Sequence, residues 1–276
     1  MSTREALSQT AARWLEALSG SAGVLEAGPR TVRVADAALG PELARFIAVV
    51  PDAANRFPRA RAGEVGLDEA LALAREVRRT MAEDAGRRPR PIVALVDVTS
   101  QAYGAREELL GIHLAAAASV DAYASARLAG HPIVALLVGK AISGGFLCHG
   151  YQANRILALD SPGVQLHAMS KQSAARVTRR TPEELEQLGA RVTPMAYDVG
   201  SFGRLGLLHR LIGGIEAAAP GPADVERVRS ELIAAIAAAR AGAADLSTRL
   251  TSAQALAGRA ASIAVRQRLA EQWDAP

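Results

Sequence analysis

The chain has 276 residues, half of them hydrophobic, with 4% aromatics, a formal net charge of +4 at pH 7 and one cysteine, Cys148. That length suits one large domain, and so few aromatic rings argue against single-strand nucleic-acid binding, which relies on base stacking. A lone cysteine excludes an internal disulfide and a cysteine-based metal site, and the basic excess is carried by arginines, since Lys140 and Lys171 are the only lysines.

Residues 4–18 place Ala6, Leu7, Ala11, Trp14, Leu15 and Leu18 on one face, which predicts a helix ended by Ser19-Gly20. Thr31–Ala35 alternates as a half-buried strand does, and Arg45–Val50 reads as a second strand. A loop rich in Pro, Gly and Arg runs from Pro51 to Gly66, and Leu67–Ala85 is a helix closed by Gly86 and the prolines after it. Pro91–Val98 is a continuous apolar run, predicting a buried strand. The loop Thr99-Ser-Gln-Ala-Tyr-Gly104 follows, and then Ala105 opens a long helix with Glu107 and Glu108 in its first turn.

The same unit recurs about forty residues later. Pro132–Val138 is a second buried strand, followed by Gly139-Lys-Ala-Ile-Ser-Gly-Gly-Phe146 and a helix start. Asn154–Leu159 and Gly163–His167 read as short strands joined by the turn Asp160-Ser-Pro162. Ser170 is placed to cap a short helix, and Thr181-Pro-Glu-Glu184 opens another with a capping box. Beyond Pro222 the pattern is helical, over Ala223–Ala241 and Thr248–Trp273. No linker divides the chain, so the expectation is a single domain over residues 1–276, with 222–276 a mainly helical C-terminal extension.

Two strand–loop–helix units side by side would bring two sets of helix-start amides to one sheet edge, where open α/β sheets bind ligands. Gly144 and Gly145 lack a Cβ, so a ligand would be able to approach their amides. The amides of Gly104 and Ala105 are a second candidate pair. The plainer alternative is that the glycines only serve tight turns. The five histidines are dispersed and show no HExxH spacing, so no metal site is expected. The apolar stretch over 132–148 is too short and too interrupted to cross a membrane, and Met1–Glu5 lacks an apolar leader. The chain therefore reads as soluble and cytoplasmic, without nucleic-acid or membrane partners.

The strand, strand, helix repetition resembles the crotonase fold: an α/β architecture of repeated strand-strand-helix units, here with helical N- and C-terminal extensions. Over 91–178 the chain is similar to carboxyltransferase subunits of that superfamily, through Asp97, Tyr103-Gly104, Glu107-Glu108 and Ser143-Gly144-Gly145. The strings Gly139–Phe146, Cys148–Arg155, His167-Ala-Met169 and Pro194–Asp198 resemble the gamma subunits of malonate decarboxylases. The likeness runs to about residue 213.

The resemblance implies a carbon-carbon lyase that acts on malonyl thioesters carried by an acyl-carrier protein and stabilises a thioester enolate. The substrate would arrive on a phosphopantetheine-type prosthetic group, with no cofactor bound by this chain itself. The implied partners are a homologous beta subunit, an acyl-carrier-protein subunit and an acyl-carrier-protein transferase subunit. Ser143, Gly144, Gly145, Gly104 and Ala105 become the expected catalytic set, and Tyr103, Lys140, Ile142, His149 and His167 the expected ligand contacts. Ser143, His149, Tyr151 and His167 are the candidate proton donors, each with a packing or turn role as the alternative. Whether Gly144 and Gly145 face the thioester carbonyl or the malonyl carboxylate stays open. Ile142 adds bulk where biotin-dependent relatives have glycine, which favours the biotin-independent reading. A biotin-dependent carboxyltransferase subunit and a non-catalytic partner of the beta subunit are the alternatives.

Overall fold

The computed structural model describes residues 8–20, 24–25 and 28–273. Helix α1 (Thr10–Ser19) starts later than the apolar spacing predicts; Ser8 and Gln9 are not helical, and residues 4–7 lie outside the described residues. Its Trp14, Leu15 and Leu18 are buried, and the Trp14 indole N–H donates to the Ala217 carbonyl at 2.9 Å. Strand β1 (Val24–Leu25) pairs antiparallel with β2 (Val32–Leu39), and β2 with β3 (Glu42–Val49). The β2–β3 hairpin turns on Gly40-Pro41, and Gly40 takes φ +63°, which costs glycine little.

Helix α2 (Leu67–Glu83) precedes the fully buried strand β4 (Ile92–Val98). The long helix expected from Ala105 is two helices, α3 (Ala105–Leu109) and α4 (Ile112–Leu128). Gly111 separates them in the left-handed region at φ +83°. Next come β5 (Ile133–Ile142), α5 (Ser143–Cys148), β6 (Arg155–Asp160) and β7 (Gln165–His167). Helices α6 (Lys171–Thr178) and α7 (Pro182–Arg191) carry the expected caps: Ser170 Oγ accepts from Ser173 N–H at 3.2 Å, and Thr181 forms a capping box with Glu184. The chain continues through α8 (Val199–Arg204), β8 (Arg210–Gly213), α9 (Pro222–Ala241), α10 (Thr248–Thr251), α11 (Ala253–Gly258) and α12 (Ala260–Trp273).

The sheet order is β1-β2-β3-β4-β5-β6-β8, parallel from β3 onward. The two short strands around Asp160 do not pair with each other. Val134–Leu137 of β5 takes β6 as neighbour, and Lys140–Ile142 takes β7. Helices α2 and α4 pack together, as do α1 and α9, and both pairs cover the sheet. Val228, Leu232 and Ile236 of α9 join the core formed by the strands.

The β4–β5 ladder is irregular at one place. Val96 pairs with Leu137 but Val98 pairs with Ala141, so β5 carries two extra residues opposite Asp97. The Asp97 carboxylate fills the gap, its Oδ1 accepting the Lys140 N–H at 3.0 Å and its Oδ2 accepting the Ser8 hydroxyl. A Cβ at Gly139 would lie 2.1 Å from Asp97 Oδ1, so only glycine leaves room for the carboxylate.

His149 follows α5 and is completely buried. Its Nε2 lies 3.0 Å from the Leu95 carbonyl, which can only accept, so the proton sits on Nε2. Nδ1 then accepts from the Tyr123 hydroxyl at 3.0 Å, and burial keeps that phenol protonated. His149 is thus a core residue holding α5 to β4 and α4. The expectation that it contacts a ligand is corrected, because both ring nitrogens are committed and no edge reaches solvent.

Burial pushes the His149 pKa down to about 4, against partial support from backbone carbonyls. An unfolded chain takes up this proton near pH 6.5, so the stabilisation is complete above that pH. It is lost as pH falls from about 6.5 to 4, because only the unfolded state binds the proton there. The expected loss is roughly 3 kcal/mol. Denaturant titrations across this window should show it, and His149→Gln should remove most of the slope; an unchanged slope in the variant would exonerate His149.

Candidate active site at the carboxyl ends of β4 and β5

The two strand–loop–helix units meet as the sequence predicts. The loop after β4 lies on the turn that opens α5. The Tyr103 hydroxyl and Ser143 Oγ are 2.9 Å apart, and the Gly144 N–H donates to Gln101 Oε1 at 2.7 Å. Ser143 takes φ +58°, a left-handed value that costs a non-glycine residue about 1–3 kcal/mol. The surrounding hydrogen bonds hold it there, at the point where the strand becomes helix.

The glycines serve their neighbours. A Cβ at Gly144 would lie 2.7 Å from Gln101 Oε1, and one at Gly145 would lie 2.4 Å from the Ser100 carbonyl oxygen. A Cβ at Gly104 would lie 2.3 Å from Glu107 Oε2 and 2.8 Å from Arg59 Nε. The small size of Gly144 and Gly145 therefore admits the β4 loop, and that of Gly104 admits the Glu107 and Arg59 side chains, at the positions where a ligand was expected to approach. The Gly144 amide is not an unpaired donor, since Gln101 occupies it. Gly104 is the N-cap of α3, and Ala105 is exposed at its first position.

Beside this turn lies a cavity of about 820 Å³. Gln101, Ser143, Gly144, Phe146, Leu147 and Tyr151 line one side, and Leu166, His167 and Ala168 another. Phe202, Leu205 and Leu207 extend the wall, and Gly258, Arg259, Ala261 and Ser262 close it from the C-terminal helices. His167 stacks on Tyr197 with ring centres 4.0 Å apart, and its Nδ1 lies 3.1 Å from the Met169 carbonyl. Burial lowers the His167 pKa, leaving the ring neutral at pH 7.

Two other expected contacts fall elsewhere. Lys140 lines a separate cavity of about 310 Å³ with Asp97, Thr99, Ser161 and Glu216. Ile142 is buried at the end of β5 and does not line the larger cavity, so it does not narrow that space directly. Lys140 and Ile142 lie two residues apart in β5, on the face opposite Ala141.

Sequence reasoning passed over Gln101, although it sits in the quoted loop, because a lone glutamine carries no motif. It also passed over residues 258–262. These arrive through α10, which Arg249 fastens: its Nη2 donates to the Ala153 carbonyl at 2.5 Å and its guanidinium lies 4.9 Å over the Tyr151 ring. Burial pushes the Arg249 pKa down to about 10, so it remains charged at pH 7. Among the described residues, no group of three or more His, Cys, Asp or Glu is placed to hold a metal ion, and no helix is long and apolar enough to cross a membrane.

The split β5, with two short strands sharing its length and helix starts gathered at its carboxyl end, defines a crotonase-like carboxyltransferase architecture. A transcarboxylase 12S structure, 18% identical, superposes with a TM-score of 0.63 over 86% of this chain and 41% of its own, which establishes the shared fold alone. A model of the malonate decarboxylase gamma subunit family matches residues 60–273, and the chain belongs to that family. A chain of the Pseudomonas malonate decarboxylase hetero-tetramer in complex with coenzyme A is 53% identical, with a TM-score of 0.89 over 96% of this chain and 100% of that one. A chain of the Pseudomonas MdcD-MdcE hetero-dimer is 52% identical, with a TM-score of 0.86 over the same shares. The malonyl-S-ACP:biotin-protein carboxyltransferase MADD of Malonomonas rubra is 38% identical over 196 residues, 69% of this chain and 67% of its own length.

Gly145 tests the packing role of the glycines. Gly145→Ala should destabilise the chain by on the order of 3 kcal/mol, because the Ser100 backbone cannot swing aside as a flexible side chain would. Chemical denaturation reads this directly, and wild-type stability would show that the loop yields freely.

Proposed function

We propose that this chain is the gamma subunit of a biotin-independent malonate decarboxylase, which forms with a homologous beta subunit the site that converts malonyl-[acyl-carrier protein] to acetyl-[acyl-carrier protein] and CO2. The observation that carries this reading is the pair Ser143 and Gln101 on the wall of a mainly apolar cavity, with the Tyr103 hydroxyl 2.9 Å from Ser143 Oγ, in a chain 53% identical to one from a malonate decarboxylase.

The chemistry follows from the bond that breaks. When the carboxyl carbon leaves as CO2, the electron pair of the C–C bond passes to the α-carbon and delocalises onto the thioester oxygen. Preorganised donors beside that oxygen lower the barrier, and apolar walls strengthen them by excluding water. The Ser143–Tyr103 pair supplies hydroxyl protons at the cavity edge and is the best placed source for reprotonating the α-carbon. His167, held neutral and stacked, orients the far wall. The acyl-carrier protein would bring the substrate on its phosphopantetheine-type arm, loaded by a transferase subunit, and the beta subunit would hold that arm. The setting is cytoplasmic in this reading.

Association with the beta subunit has support in two apolar surfaces. In α12, Val265, Leu269 and Trp273 fall four residues apart on one face and are 66%, 54% and 77% exposed. Leu109, Leu110 and Leu114 expose a second set at the α3–α4 junction. Such faces are rare on isolated proteins and mark contact surfaces. The first lies on the helix whose start closes the cavity.

A second reading, a biotin-dependent carboxyltransferase subunit, is favoured by the likeness to MADD. Co-expression with the beta and acyl-carrier subunits separates them. The complex should release CO2 from malonyl-[acyl-carrier protein] with avidin present, and this chain alone should not. Avidin-sensitive transfer would establish the second reading, and full turnover by the single chain would overturn the shared site. Leu269→Asp with Trp273→Asp should weaken the complex at least tenfold by size-exclusion titration while leaving the chain's circular dichroism unchanged. Undiminished assembly would remove α12 from the interface.

A further inference from the structure

The Gly144 N–H can only donate, so the oxygen of the Gln101 side-chain amide must face it, at 2.7 Å. That bond fixes which end of the amide meets the Gly144 N–H, and the amide lies along the turn with its Nε2 3.2 Å from where a Cβ at Gly144 would stand. Among the described residues the NH2 makes no hydrogen bond, and it is not a buried orphan. Gln101 lines the large cavity, so this unspent donor belongs to a residue on the wall of the space where a ligand would sit.

Both ends of the residue are held. Its backbone forms a parallel bridge with Val65, flanked by Val65 N–H to the Ser100 carbonyl at 2.9 Å and Ala102 N–H to the Val65 carbonyl at 3.0 Å. Its side-chain oxygen is held by Gly144, whose lack of a Cβ lets the amide lie flat against the turn. A donor fixed at both ends spends little entropy on binding. An amide whose oxygen accepts a hydrogen bond is also polarised into a better donor.

We propose that Gln101 is the side-chain donor of this site: its NH2 group, aimed by the Gly144 amide, binds the thioester oxygen and stabilises the negative charge that gathers there as CO2 departs. The assignment rests on the decarboxylase reading for its substrate. It gives the Gly144 N–H a supporting role: the amide positions Gln101, and Gln101 meets the oxygen.

Three variants in the assembled complex test this. Gln101→Leu removes the donor and the anchor. Gln101→Glu keeps an oxygen for the Gly144 amide but replaces the donor with negative charge. Gly144→Ala keeps the amide but puts a Cβ 2.7 Å from the glutamine oxygen. Loss of one such donor costs on the order of 100-fold to 1000-fold in kcat. Gln101→Leu should fall by that factor with KM within about threefold, as expected for an interaction made in the transition state. Gln101→Glu should fall further, although it retains the anchor and should keep the thermal stability of the parent. A purely structural glutamine predicts the reverse order, with glutamate the milder change. Combining Gly144→Ala with Gln101→Leu should add little, since the alanine acts by displacing the same donor that the leucine removes.

Kinetics of Gln101→Leu equal to or faster than the parent would overturn the proposal, because they would make the glutamine a plug on the Gly144 amide. A raised KM with kcat preserved would also overturn it, by moving the contact to the ground-state carboxylate. A nitroacetyl thioester, whose nitronate mimics the enolate, gives a binding measurement that needs no turnover. Calorimetry should show tight binding to the parent complex and at least tenfold weaker binding to Gln101→Glu. Equal affinities, or no binding to the parent, would sink the assignment even if decarboxylation itself is confirmed. An inactive parent complex that still binds the nitronate through Gln101 would instead count against the decarboxylase reading alone.

Discussion

Strands β4 and β5 run parallel in register from Ile92–Ile133 to Val96–Leu137, and then the register breaks at Asp97. Two extra residues of β5 pass opposite that one side chain, and the Asp97 carboxylate takes up the Lys140 amide that the ladder leaves over. The same place is where β5 exchanges β6 for β7 as its partner. A buried amide without an acceptor would cost about 1–3 kcal/mol, so the carboxylate makes the irregularity tolerable. Gly139 makes it sterically possible. Everything at the site follows from this arrangement, because it determines where β5 ends and therefore where Ser143 stands relative to the loop after β4.

The loop and the turn are fitted to each other more tightly than either is fitted to open space. Ser100 and Gln101 occupy the volume that side chains at 145 and 144 would need. Ser143 is held in a left-handed conformation between β5 and α5, and Tyr103 reaches across to its hydroxyl. On the inner side, His149 ties the end of α5 to the Leu95 carbonyl and to Tyr123. A short helix of six residues has little stability of its own. Its position is set by these flanking bonds, which is how a strained turn persists at the mouth of a cavity.

The outer wall is built differently. Helix α9 belongs to the core, but the end of α11 and the start of α12 reach the cavity after α10, which is fastened by Arg249 on the Ala153 carbonyl. Helix α12 has no buried residue and carries an apolar stripe. A helix of that kind gains stability only when its apolar face is covered. This explains why a site whose inner wall is rigid leaves its outer wall on a helix suited to contact with a second chain.

How much of this the sequence determined differs element by element. The buried strands 91–98 and 132–138 were legible because continuous apolar runs bounded by proline and glycine allow few other readings, and the caps at Ser170 and Thr181 because their chemistry is local. The meeting of the two loops was legible too, since parallel neighbours place their carboxyl ends together. The break at Gly111, the partner of β7 and the burial of His149 were not, for each depends on which atoms lie across from the residue. A histidine beside a glycine-rich turn looks the same whether its ring faces a ligand or the Leu95 carbonyl. Gln101 shows the limit most plainly. Its chemistry is ordinary in the chain and becomes distinctive only when the Gly144 amide, forty-three positions away, holds its oxygen and frees its nitrogen. Local pattern determines which segments form strands and helices, because that choice depends on periodicity within a few residues. Long-range packing alone decides which donors are spent within the fold and which are left for a substrate.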